Sequence, residues 1–174
     1  MTSKSPSNRP KKLENPEIKI IYRKLEQLSL LILLIAIPPF GVVYLYHNSG
    51  NLNWDLPSIP DWVNGMLVGV NVGLLVGQYL IFHQKLKIAS PEYPLLEKVK
   101  IYAQATSQRF WILFLVALLS TAGLLLDQGA IHILIFAVCL VFFSLAKPSV
   151  DRISRLMKLK KEDREFLRET TRPE

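Results

Sequence analysis

The sequence predicts an all-α integral membrane protein, a four-helix bundle with amphipathic helices on its cytoplasmic side before the third span and after the fourth. Three observations predict it. Half of the 174 residues are apolar, too many for a disordered chain and too few residues for two sizeable domains. Four uncharged runs, at 28–46, 62–82, 110–126 and 130–146, are 17 to 21 residues long, which at ~1.5 Å per helical residue spans roughly 25–30 Å of hydrocarbon. Finally, all 21 Lys and Arg fall in three segments: seven up to Gln27, five from His83 to Arg109 and nine from Lys147 onward. The two remaining connections carry none. Basic residues of short loops stay on the cytoplasmic side, so both termini and the middle connection are expected there, in the cytoplasmic (inner) membrane.

Residues 1–16 are rich in Ser, Pro, Asn and Lys without apolar periodicity, and a disordered cytoplasmic tail is expected. The tail is polar and the first apolar run lacks a cleavage site, so that run is expected to stay as an anchor. Ile18, Ile21, Leu25 and Leu28 recur at helical spacing among charges and predict an amphipathic lead-in to the first span. Within that span, Pro38 and Pro39 remove two backbone donors, so the helix should bend or loosen there. The stretch from His47 to Asp61 reads as a loop. Trp54 and Trp62, with Tyr44 and Tyr46, fit an aromatic belt at one water boundary.

The second span carries the most specific pattern. Gly65, Gly69, Gly73 and Gly77 recur every fourth residue and fall within about 120° of helical arc, while Asn64, Asn71 and Gln78 fall on the opposite side. One face suits close backbone approach by another helix. The other must find hydrogen-bond partners that hydrocarbon does not supply. Asn71 lies near the middle, where the expected partners are carbonyls freed by the two prolines or the hydroxyls of Ser120 and Thr121.

In the middle connection, Ser90, Pro91 and Glu92 resemble a helix start, and Leu95, Leu96, Val99 and Tyr102 predict a surface helix leading into the third span. The third and fourth spans are joined by Asp127, Gln128 and Gly129 alone, which forces an antiparallel hairpin. After it, Ser149 and Asp151 again resemble a helix start, and Ile153, Leu156 and Met157 form an apolar stripe between basic residues. That is the pattern of a helix in the headgroup region. Its continuation to residue 174 is expected to fade into disorder. The excess positive charge is assigned to anionic headgroups, with Lys85, Lys87, Arg152, Arg155, Lys158 and Lys160 as their contacts. No nucleic-acid signature accompanies it, and nucleic acid is not expected as a partner.

No ionisable residue sits in the middle of any run, which argues against a proton-coupled carrier. No phosphate-binding glycine loop, dinucleotide-binding pattern, zinc-protease helix or nucleophile motif is present. His47 and His132 fall at comparable depth, as a bis-histidine haem would need, but nothing in the sequence orients them. No catalytic residue, metal or cofactor is predicted. Cys139, the single cysteine, reads as a small packing residue. The function expected first is a non-catalytic membrane subunit that associates with itself or with a partner membrane protein. A passive channel or carrier lined by the Asn71 face comes second, and a redox or lipid-modifying membrane enzyme third.

Overall fold

The computed structural model describes residues 16–50, 60–88, 92–127 and 129–171, all of them helix, turn or irregular, with no strand among them. Six helices follow one another: α1 (Pro16–Asn48), α2 (Asp61–Lys87), α3 (Leu95–Asp127), α4 (Ala130–Ala146), α5 (Val150–Leu156) and α6 (Lys161–Thr170). Of these, α1, α2 and α3 are long and apolar enough to cross a membrane. With 17 residues, α4 falls short alone and reaches that length only with α5, from which it is bent by 84°. The 1–15 tail, Trp54 and the Ser90–Pro91 helix start lie outside the described residues.

The long helices alternate in direction. α1 and α3 run parallel, since Lys100 near the start of α3 lies 3.5 Å from Glu17 at the start of α1. α2 and α4 run back. The Lys and Arg of α1, α2 and α3, and Lys147 just after α4, are thereby gathered near one end, the basic end.

The hub is α3, not the glycine-rich α2. It packs against α1, α2 and α4, and its buried residues (including Tyr102, Ala105, Arg109, Leu113, Val116, Ala117, Ser120, Gly123 and Leu124) share one face of about 140°, with Trp111, Leu115 and Leu118 exposed on the other. Ala105, Ala117, Ser120 and Gly123 explain how one face serves three helices. Small side chains at successive levels let three neighbours approach closely, which is how helices gain contact where hydrophobic driving force is weak. Between these levels large residues lock the partners: Phe110 stacks on Phe143 of α4 with ring centroids 6.1 Å apart. The buried Cys139 thiol donates to the Leu113 carbonyl at 3.2 Å. Two turns earlier than Phe143 along α4, Phe136 stacks on Phe40 of α1.

Three local expectations change. The amphipathic lead-ins are not separate helices: α1, with Pro38 and Pro39 inside it, and α3 each continue for 33 residues through their polar and apolar parts. Glu92 lies in a turn, and α3 begins only after Pro94. The C-terminal stretch does not fade out, because α6 buries Leu167 and Thr170 and lies against α5 and α1. Its apolar positions are too few to stand out in so charged a segment, yet they share one face. The Ser149 cap is as expected, its side chain accepting the Arg152 N–H. α5 closes on Lys158, which takes a positive φ of 48° while the Leu159 N–H reaches back to the Ser154 carbonyl at 3.0 Å. This is a Schellman-type ending with lysine where glycine is preferred.

Candidate functional site

The polar groups within the helices form one seam between α2, α3 and α4. α2 turns Asn71, Leu75, Gln78 and Phe82 inward, a spacing of four, three and four that keeps one stripe against α3. The register is set at both ends. Asn64 donates to Asp127 Oδ2 at 2.7 Å at the end away from the basic residues, and Phe82 meets the Arg109 guanidinium, 5.1 Å from ring centre to Cζ, at the basic end.

At the Asn64 end the seam is a clasp of three helices. The Asn64 amide donates to Asp127 of α3, and its oxygen accepts from His132 Nε2 of α4 at 3.0 Å. The His132 ring is fully buried over Gly123, and Asp127 Oδ2 stands 3.8 Å from its Nε2. Gly123 is required here: a Cβ built on it would lie 2.8 Å from His132 Nε2 and nearer still to Nδ1 and Cε1. With Nε2 donating to an amide oxygen, His132 is a strut in the chain's own network. Asn64, near the start of α2, is the link between its two partners.

Two turns deeper, Asn71 is 0 % exposed and neither amide atom has a hydrogen-bond partner. The register puts it level with Ser120, whose hydroxyl is also buried and unbonded. Thr121, the other expected partner, donates to the Ala117 carbonyl of its own helix at 2.8 Å. Gln78 is buried too, its amide donating to the Leu75 carbonyl while its oxygen stays unbonded. At the basic end the seam closes on Arg109, buried between Phe82 of α2 and Phe142 of α4.

The glycine ridge faces the other way. A Cβ added at Gly65, Gly69, Gly73 or Gly77 would meet nothing within 4 Å, so the ridge packs against no part of the described chain. Around it Met66, Val70, Val72, Val76 and Leu80 are exposed. Between α2 and α4 runs an apolar groove of about 490 Å³, and α1 and α4 flank a second of about 370 Å³ that ends at Lys147. The proposed headgroup contacts all lie at the basic end. Lys85 and Lys87 close α2, Arg155, Lys158 and Lys160 are exposed, and Arg152 is half-buried with its guanidinium on the Lys147 carbonyl. With Arg164, Arg152 and Arg155 also line a polar pocket between α5 and α6.

Among the described residues no group of three or more His, Cys, Asp or Glu is placed to hold a metal. Comparison with protein-family models, with curated proteins and with solved structures finds no match to this chain. What the seam and the ridge do therefore rests on their chemistry.

Proposed function

We propose that this chain is a non-catalytic, multi-pass subunit of a membrane assembly, joined to its neighbour through the glycine ridge of α2. In this reading the chain crosses the cytoplasmic membrane four times, α4 making the fourth crossing, with both termini and the basic end on the cytoplasmic side. Charge supports that topology, since every Lys and Arg lies in the three segments assigned inside and only Asp55, Asp61 and Asp127 lie in those outside. The short α4 fits if Lys147, exposed at its end, snorkels to the headgroups.

The observation that carries the assembly reading is the open ridge. Four glycines in register leave a smooth strip on which a second helix can lie backbone to backbone, and among the described residues nothing occupies it. The opposite face of the same helix is committed to the seam. The occupant is a transmembrane helix of another copy or of a partner membrane protein, while Lys85, Lys87, Arg152, Arg155, Lys158 and Lys160 contact anionic lipid headgroups. The double substitution Gly69→Leu with Gly73→Leu tests it. In mild detergent the assembly should fall to single chains, and unchanged particle size with unchanged partner recovery would overturn the reading.

A second reading is favoured by one observation, the unbonded amide of Asn71 beside the unbonded hydroxyl of Ser120. A passive pathway for a small polar solute along the seam would use both. Liposome flux abolished by Asn71→Leu would support it, and flux no greater than that of empty liposomes would remove it.

A further inference from the structure

Arg109 sits where a charge is costly. It is 7 % exposed, its Nε is buried without a hydrogen-bond partner, and among the described residues no carboxylate pairs with it. Its guanidinium is held between aromatic rings, 5.1 Å from the centre of Phe82 and 6.0 Å from that of Phe142. The nearest formal charge acting on it is another cation, Arg152. Ring faces offset part of the desolvation of a guanidinium, on the order of 2 kcal/mol, but an unpaired buried cation costs more than that. An anion at this point would balance it.

The groove between α2 and α4 opens beside the same group. Phe142 and Tyr79 line its basic end, and its walls further along, among them Val76 and Leu134, are apolar. The groove follows α4 from Ile131 to Phe142, roughly 16 Å at the helical rise. With an unpaired cation at one end and apolar walls along its length, it matches the headgroup and one hydrocarbon chain of an anionic lipid.

The geometry points to a site for one anionic phospholipid per chain, its phosphate on the Arg109 guanidinium and one acyl chain in the groove between α2 and α4. The planar fork of arginine matches phosphate oxygens, and the low-dielectric surroundings strengthen the contact. The groove borders the glycine ridge and shares Val72 and Val76 with its edge, but Arg109 belongs to α3, so lipid retention in Arg109→Gln and particle size in the Gly69→Leu, Gly73→Leu protein report on the two proposals separately.

Native mass spectrometry of the protein taken from bilayers of equal phosphatidylcholine and phosphatidylglycerol tests it. The wild type should carry one phosphatidylglycerol in preference to phosphatidylcholine. Arg109→Gln should weaken that adduct by roughly tenfold or more, as expected for loss of a charge-assisted contact, with Arg109→Lys intermediate. Val138→Phe, which fills the groove and keeps the charge, should also remove it. Lys161→Gln with Arg168→Gln, on exposed cations outside the headgroup set, should leave it, and excess inorganic phosphate should not displace it. An adduct unchanged in Arg109→Gln, or in Val138→Phe if Arg109→Gln does not fold, would overturn the site. So would loss of headgroup preference in the wild type, or displacement by phosphate, which would assign the anion contact without the chain.

Discussion

Substituting Gly123 by alanine separates two kinds of glycine that look alike in the sequence. At Gly123 the new methyl would overlap the His132 ring, and the ring cannot swing aside because it is fully buried and bonded to Asn64. Either α4 shifts or the ring leaves its position. Overpacking of this kind costs ~1–3 kcal/mol. Breaking the His132–Asn64 bond adds about 0.6 kcal/mol at the average for polar contacts between membrane helices, and more if a buried partner is orphaned. A net loss of about 2–4 kcal/mol follows. At Gly69 the same methyl enters open space, and a single chain should be unharmed or gain up to ~1 kcal/mol from the better helix former. The assay is unfolding of dispersed single chains in mild detergent by added dodecyl sulfate, followed by fluorescence of Trp62 and Trp111. A Gly123→Ala protein within about 0.5 kcal/mol of wild type, or Gly69→Ala and Gly123→Ala equally destabilised, would refute the clasp as the lock between α2, α3 and α4.

Other expectations rest on single contacts. Asn71→Leu removes two buried amide atoms that make no bond, so in the same assay it should leave stability unchanged or raise it by ~1 kcal/mol, whereas a loss would show that the amide is satisfied in the membrane. Lys158→Gly relieves a lysine held at φ 48° and should raise the stability of the α5–α6 segment by about 1 kcal/mol, read as slower amide exchange there. Asp151 is fully exposed, and its hydrogen bond from Arg164, 2.7 Å long, holds its carboxyl below the usual aspartate range. A depressed acid contributes above its unfolded pKa and loses the contribution as pH falls through the folded value. The α5–α6 contact should therefore hold at neutral pH and loosen only in acid below the ordinary aspartate range. Asp151→Asn should abolish that step, as seen by proteolysis of the C-terminal helices across a pH series.

Hydropathy made the long helices legible, because apolar runs of this length leave little choice but a helix at membrane depth. The opposition of the glycine and amide faces of α2 was legible too, since it depends only on the turn of one helix. The hub was not. α3 earns its central place through small residues at Ala105, Ala117, Ser120 and Gly123, which follow no uniform spacing and become a pattern only when three neighbours stand around them. The clasp was hidden for the same reason. Asn64 meets Asp127 and His132 across 63 and 68 residues, a pairing set by the register of two helix pairs that no local motif encodes. In the sequence Arg109 stands just before an uncharged run as the last of a basic segment, and only the fold turns it inward between Phe82 and Phe142.

The central claim is that the open face of α2 meets another protein helix in the membrane. Met66 lies within the arc of the ridge and is 62 % exposed, while Leu34 of α1 is 71 % exposed on a face with a single glycine, Gly41, rather than a ridge. A photoreactive residue placed at each position and activated in intact membranes compares the two directly. A protein adduct from Met66 and lipid adducts alone from Leu34 are the predicted result, the mass of the adduct distinguishing a second copy from a partner. Lipid adducts alone from both positions would contradict the account.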